Sequence, residues 1–396
     1  MRRIVVLGGG AAGLSAARKL SDELRSRTRI EITLVTDQAY FVKPTGLPQV
    51  AAGTLALADA SVPIRKVLDS RVQIEIDHVN SIDFERKQLL GQRRAYPFDY
   101  AVLAPGASSQ SELTIGTPND TMHVREHVLS CLRNAKQASD QRVRERELCF
   151  VVVGAGINGV EFSGNLAHVL KRQSTSTGAS FRIVLVEAQS RILPRMPESM
   201  SKAVEQCLHD LGVEITVGQQ IKETTSTDVT LTDGRTLQTG NVIWCIGQTP
   251  HPWFAQQDLD TDGRPCVNRY LELINHGGIY VAGDAAGVGP DVPWSAKIAV
   301  SQGRRAARNL VAQIGGRSRK AWSTPSSFHG VILTPTSAVC LSEQTILKGI
   351  AARSRISVED SKILPFAFGK RRWVTEILQN SLKVFDRTER AMLTED

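Results

Sequence analysis

Two clusters of glycine carry the first chemical signal in this sequence. Gly8, Gly10 and Gly13 stand in G-x-G-x-x-G spacing, and Gly154, Gly156 and Gly159 repeat that spacing further along. In such a loop the first glycine makes a tight turn and the second lets the backbone approach a diphosphate. The third lets a helix pack closely on the strand before it. The start of that helix, at Ala11 and Ala12 in the first loop and at Ile157 and Asn158 in the second, points amide donors and a positive dipole end at the phosphates. The chemistry this permits is dinucleotide binding, twice in one chain.

A ribose needs an acceptor at the end of the next strand. In the second unit Glu187 stands there; its carboxylate can take both ribose hydroxyls and would repel a 2′-phosphate, favouring NADH over NADPH. Arg191 lies close enough in sequence to act in the opposite sense. In the first unit the corresponding strand ends at Thr36-Asp37.

The elements that must position these residues are legible around them. Ile4–Leu7 and Cys149–Val153 are short β-branched runs of the kind buried in parallel sheets. Helical patterns follow, from Leu14 to Leu20 and through Leu170, and then further strands at Ile30–Val35 and Arg182–Val186. A glycine motif set between a strand and a helix is far more specific than the motif alone.

Composition sets the outer bounds. The 396 residues are 41% hydrophobic and 22% charged, which supports a sizeable core and excludes a disordered chain. Aromatics reach 5%, too few for a base-stacking platform. The 48 Lys+Arg against 40 Asp+Glu give a net charge of +8, which fits nucleic acid, an anionic membrane surface or anionic cofactors. The basic residues are dispersed among acids, as at 141–147, rather than gathered in a stripe, so no nucleic acid is expected as partner. The cysteines, at 131, 149, 207, 245, 266 and 340, form no C-x-x-C and no metal-ligand spacing; a reducing, cytoplasmic setting and no metal are expected. No apolar run reaches the roughly 20 residues of a spanning helix. The opening MRRIVVLGGGAAGL reads as strand, loop and helix rather than as a secretion signal.

A third motif, Gly278 to Ala286, is a strand ending in Gly283-Asp284. With it the sequence resembles the flavoproteins with two dinucleotide-binding domains, the pyridine nucleotide–disulfide oxidoreductase superfamily. That resemblance implies that Asp284 contacts the ribityl chain and pyrophosphate of FAD. Two strand-to-glycine crossings also match: Tyr100 to Gly106, with Ala104 and Pro105, and Val242 to Gly247. Pro105 stands where the family usually has threonine, and Thr36 where it has the ribose acid, with Asp37 one residue late. The resemblance covers about residues 1–315.

The implied fold is α/β: two Rossmann-like domains and a small C-terminal domain. The FAD domain is split, 1–115 and 275–325, around an NAD(H) domain at 116–274; residues 326–396 form a cap. Thr232-Asp233-Gly234-Arg235 reads as a hairpin turn, residues 88–99 as a similar excursion, and the charged stretch 132–146 as one solvated helix.

Within the superfamily the chain is most similar to type II NADH:quinone oxidoreductases. Glu161, in G-V-E-F-S-G, matches a glutamate near the nicotinamide. Val292 to Gly303 resembles their P-x-x-A-Q-x-A-x-Q-Q segment at the flavin and quinone. Ala296 and Gln302 match, while Lys297 replaces a glutamine and Ser301 the first of the paired glutamines. A lysine at that helix start would stabilise a reduced flavin or a quinone oxygen gaining charge. Lys43 and Pro44 close a similar aromatic-x-x-Pro stretch at the flavin.

No cysteine precedes residue 131, so the disulfide relay of other superfamily members is not expected. Cys131 and Cys340 are the only pair placed to serve a sulfide:quinone reaction, but the intact second glycine motif argues against it. The resemblance thus implies hydride transfer from NADH to FAD, then two electrons to a quinone-like acceptor. The alternative is a soluble reductase for an iron–sulfur protein or a biosynthetic intermediate. Residues 370–385, with Lys370, Arg371, Arg372 and Trp373 ahead of an apolar face at Val374, Leu378, Leu382 and Phe385, read as an amphipathic helix. It would meet either the inner face of a membrane or a second copy of the chain.

Overall fold

The computed structural model describes residues 1–368 apart from 109–110, 112, 178–179, 247–248, 290–291, 293, 326–327 and 343. Segment 370–385 and Gly247 therefore lie outside the described residues.

Strand β1 (Arg2–Leu7) leads through the first glycine loop into α1 (Ala11–Glu23), then β2 (Ile30–Thr36), β3 (Val72–Ile76) and β4 (Tyr100–Leu103). Helices α2 (Pro118–Gln137) and α3 (Gln141–Glu147) follow. Next come β5 (Cys149–Val153), α4 (Ile157–Thr177), β6 (Arg182–Glu187), α5 (Glu198–Asp210), β7 (Val213–Val217) and β8 (Val242–Trp244). The chain then adds β9 (Ile279–Val281), α6 (Ala296–Ile314), β10 (His329–Ile332), β11 (Ala338–Ser342), β12 (Thr345–Lys348) and α7 (Gly349–Phe368).

Two parallel sheets organise these elements. One has strand order β9-β4-β1-β2-β3, so a strand from residue 279 onward completes a sheet begun at residue 2. The other runs β7-β6-β5-β8. Both bury near-continuous apolar strands, as sheets covered on both faces must. Register does the positioning. Leu7 pairs with Val35 and with Leu103, and Leu103 with Val281, so Gly8, Thr36, Ala104 and Ala282 leave the first sheet along one edge. Likewise Val153 pairs with Val186 and with Trp244, bringing Gly154, Glu187 and Cys245 together.

Helices α1 and α6 approach closely because Gly303 has no side chain: a Cβ there would stand 2.1 Å from the Ala12 carbonyl oxygen. The hairpin at Asp233-Gly234 forms, with Gly234 at φ +88, and residues 88–97 form two strands of an antiparallel sheet. The charged stretch 132–146 is not one solvated helix. Helix α2 starts earlier, at a capping box between Thr117 and Asp120, and buries Thr121, Val124, Val128, Cys131 and Ala135. It stops at Ala138, whose ψ of 129° leaves the helical region, and α3 begins anew where the Asp140 carboxylate accepts the Arg142 amide at 2.8 Å.

Strands β10 to β12 form an antiparallel sheet seated on α4, and α7 packs against β11, α1 and α6. Among the described residues no helix is long and apolar enough to cross a membrane.

Candidate active site

The two glycine loops are built alike. Gly8 has φ +101, and a Cβ on it would lie 2.1 Å from the Ala104 carbonyl oxygen; one on Gly13 would lie 1.9 Å from the Gly8 carbonyl oxygen. In the second loop Gly154 has φ +97 and its Cβ would strike Ile246, while a Cβ on Gly159 would lie 2.0 Å from the Gly154 oxygen. The fold itself thus demands the first and third glycines. The second ones differ: a Cβ on Gly10 or on Gly156 meets no atom within 4 Å. Protein packing does not require glycine at these positions, whereas a diphosphate lying on the loop does. That pair of open positions is where the residues present fit two dinucleotides.

Around the first loop, Thr36 is buried and its hydroxyl would lie 2.5 Å from a Cβ on Gly9, while Asp37 is exposed. The late acid is therefore at the surface, and a hydroxyl occupies the inner position. Pro105 and Gly106 follow Ala104 on the same edge, Gly106 at φ +78. Gly283, at φ +79, donates its amide to Gln302 Oε1 at 2.7 Å, which ties the Gly-Asp turn to α6. Asp284 accepts no hydrogen bond from any described residue, and burial pushes its carboxyl up to about 6, against the pull of Arg264. A half-buried carboxyl with no hydrogen-bond donor among the described residues, beside a glycine loop, suits the hydroxyls of a ribityl chain, which can donate to it.

Around the second loop, Glu187 accepts the Ala155 amide at 2.8 Å and the Gln189 amide at 2.9 Å, one on each oxygen. Each oxygen keeps a lone pair for a ribose hydroxyl. Arg191 is engaged elsewhere. Its guanidinium donates to the carbonyls of Leu193, Pro194 and Met196 and to the Ser201 hydroxyl, at 2.6–3.0 Å. It is thereby held away from a 2′-phosphate role. Asn158 Nδ2 donates to the Ile115 carbonyl at 3.1 Å, and Ile157 is exposed at the start of α4.

Glu161 lies on the first turns of α4 and is 3% exposed. Its Oε1 accepts the Ile332 amide at 2.8 Å, and burial pushes its carboxyl up to about 8, with Asp360 adding to the rise and the Ile332 amide, Arg353 and Lys43 opposing it. One turn on, Asn165 donates to the Ile332 carbonyl at 3.0 Å, so α4 holds both backbone groups of Ile332. Gly164, between them, makes this possible, because a Cβ there would lie 2.6 Å from the Leu333 carbonyl oxygen. Lys43 forms an ion pair with Asp360 of α7, and Pro44 is exposed beside it. The Thr45 and Ser163 hydroxyls are buried with no partner among the described residues. Ala296 and Lys297 are half-buried in the first turn of α6, where Ser295 caps the helix by accepting the Ile298 amide at 3.3 Å.

Cys131 and Cys340 do not make a redox pair. They sit in separate apolar clusters, 3% and 0% exposed; burial pushes both thiols up, Cys131 to about 12. Neither is poised as a thiolate.

Three residues of the site were missed in the sequence. Arg264, 2% exposed, pairs with Asp260 and Asp262 and donates to the Gly289 carbonyl at 3.1 Å, strapping down the loop that follows Asp284. The alternating charges around Gly263 were the available signal. Asn165, four residues after Glu161, offered only its helical spacing. Asp360 offered none, being 317 residues from Lys43.

A family model for pyridine nucleotide-disulphide oxidoreductases matches residues 2–303. The type II NADH:quinone oxidoreductase of Mycobacterium tuberculosis is 30% identical over 346 residues, covering 79% of this chain and 73% of that protein. That of Staphylococcus aureus is 28% identical over 338 residues, covering 80% and 84%. Among solved structures, NDH2 from Plasmodium falciparum in complex with NADH superposes with a TM-score of 0.84 at 14% identity, covering 98% of each chain. Matched over three quarters of its length, with both glycine loops and the Gly-Asp turn inside the match, the chain belongs to the pyridine nucleotide–disulphide oxidoreductase family and stands among the relatives of its type II NADH:quinone oxidoreductases.

Proposed function

We propose that this protein is an FAD-dependent NADH dehydrogenase that delivers two electrons to a quinone. The observation that carries the reading is the second glycine of both loops, Gly10 and Gly156, each of which faces open space at the start of a helix where a diphosphate can approach the backbone. The quinone end rests on the type II relatives.

In this reading residues 1–115 and 275–325 hold FAD, 116–274 hold NADH, and 326–396 cap the site. Gly8, Gly10, Ala11, Ala12 and Gly13 cradle the FAD diphosphate, with Asp284 and Gly283 at the ribityl chain and Thr36 and Asp37 at the ribose end. Ala104, Pro105, Gly106, Lys43, Pro44 and Ala296 surround the rest. Gly154, Gly156, Ile157, Asn158 and Gly159 cradle the NADH diphosphate, Glu187 takes its ribose, and Gly247 belongs to the same edge by its sequence. Bound FAD would supply the hydride acceptor and the two-electron donor. The protein's part is to stack the rings and exclude water. Hydride brings two electrons and one proton, and a quinone needs a second proton to become the quinol. In this reading Glu161, a buried acid, would hold it, and Lys297 would offset negative charge at the start of α6.

Anaerobic NADH is expected to bleach the bound flavin, and a menaquinone or ubiquinone analogue to restore the colour. A flavin that NADH leaves oxidised would end the reading at its first step. Bleaching followed by rapid reoxidation with a ferredoxin, and negligible reoxidation with quinones, would transfer it to a soluble iron–sulfur acceptor.

The sequence pattern of 370–385 adds a peripheral contact with the inner face of a membrane. Vesicles rich in anionic lipid are expected to sediment the protein and to lose it on Arg371→Glu/Arg372→Glu. Sedimentation unchanged by that variant, with a dimer that it dissociates, assigns the segment to a second copy of the chain.

A further inference from the structure

Charges from three parts of the chain that are distant in sequence act on Glu161. Helix α4 brings Glu161 itself, the turn after Tyr40–Val42 brings Lys43, and the C-terminal helix α7 brings Asp360 and Arg353. The Lys43–Asp360 ion pair is largely enclosed, its side chains 22% and 13% exposed. Glu161 Oε1 is fixed by the Ile332 amide; Oε2 takes no hydrogen bond from any described residue. The charged groups whose fields reach Glu161 are Asp360, which disfavours its carboxylate, and Arg353 and Lys43, which favour it. Of these, Arg353 donates through one terminal nitrogen to Ser357 Oγ on its own helix at 3.1 Å, while its Nε is buried with no partner among the described residues.

An enclosed carboxyl beside a lysine ordinarily ionises and pairs with it. Here the ammonium already has a carboxylate partner from α7. We propose that Asp360 is a positioning residue: by holding Lys43 in an ion pair it keeps the ammonium off Glu161, so that Glu161 enters the reaction as a neutral carboxylic acid. The C-terminal helix thereby completes a site whose other members come from the two nucleotide-binding parts. This inference rests on the reading of Glu161 as the buried acid of the NADH reaction.

The sign of the effect follows from the charges. Asp360 disfavours the Glu161 carboxylate by its own charge and by occupying Lys43. Asp360→Asn removes both influences and favours the carboxylate. Lys43→Met removes a cation that favours the carboxylate and leaves two acids facing each other, so Glu161 keeps its proton to higher pH. The two variants act in opposite directions.

The experiment is an infrared titration of the holoenzyme, following the carboxylic-acid C=O band that disappears in Glu161→Gln, together with the pH profile of kcat. In the wild type the band and the alkaline limb of the profile should be lost near pH 8. In Asp360→Asn both should move down by about one pH unit or more; in Lys43→Met both should move up, and Asp360→Glu should restore the wild-type position. A band that stays in place in Asp360→Asn overturns the proposal. So does a downward move in Lys43→Met, which remains informative if Asp360→Asn fails to fold. The titration needs no turnover. Failure of quinone reduction therefore strikes the functional reading alone, whereas quinone reduction with an unmoved band strikes Asp360 alone.

Discussion

Gly10→Val is expected to leave the protein folded and to strip it of FAD. Gly10 caps α1 with φ −78 and ψ −174, an extended conformation that valine adopts readily, and a Cβ there meets nothing within 4 Å. Replacing glycine at a helix N-cap by a β-branched residue costs about 1 kcal/mol, a small shift in Tm for a chain of this size. The branched side chain would, however, stand where the diphosphate must lie against the loop amides. Losing that approach should weaken FAD binding on the order of 100-fold, about 2.7 kcal/mol. Gly13→Ala makes the contrast. Its Cβ would lie 1.9 Å from the Gly8 carbonyl oxygen, so β1 and α1 must separate, and both folding and flavin content should suffer. Circular-dichroism melting of the apoproteins and flavin absorbance after purification separate the cases. Gly10→Val purified with one FAD per chain would remove the first nucleotide site from where we place it.

Why some of this site was legible and some was not follows from how each residue does its work. The glycine loops announce themselves because their requirements are local: turn, approach and helix packing are met within six residues of each other. Gly283-Asp284 is legible for the same reason. Arg264 is not, because its partners Asp260, Asp262 and the Gly289 carbonyl form a clamp that becomes apparent only when the loop after Asp284 is folded back on it. Asp360 is the extreme case: it acts through a contact across nearly the whole chain, and nothing at residue 360 marks it. The break between α2 and α3 shows the opposite failure. Its signal, Ser139-Asp140 followed by helix-forming residues, lies inside a run whose charge density reads as a continuous solvated surface rather than as a cap.

The same distinction bears on how the site is assembled. Local motifs build the glycine loop of each nucleotide cradle separately. Long-range contacts join them: β9 completes the first sheet after the second is finished, Gly164 and Asn165 seat β10 on α4, and Asp360 ties α7 to Lys43. The Glu161 carboxyl owes its position at the junction to this second class of contact.

Nicotinamide specificity gives the last large effect. Glu187→Ser is expected to lower kcat/KM for NADH by about 10- to 100-fold, the loss of one or two ribose hydrogen bonds to a charged acceptor. It should also cost stability, since the Ala155 amide, now paired at 2.8 Å in a buried loop, would lose its acceptor. Removing the carboxylate abolishes the repulsion of a 2′-phosphate, so NADPH should improve in relative terms. It should not become the better substrate, because Arg191 is held by the carbonyls of Leu193, Pro194 and Met196 and supplies no cation in return. Glu187→Ser combined with Gln189→Arg places a free guanidinium two residues on, and only that pair should prefer NADPH. Steady-state kinetics with both nucleotides decide the matter. If Glu187→Ser alone prefers NADPH, Arg191 leaves its carbonyls to meet the phosphate; if the wild type uses the two nucleotides equally, Glu187 is not the residue that reads the ribose.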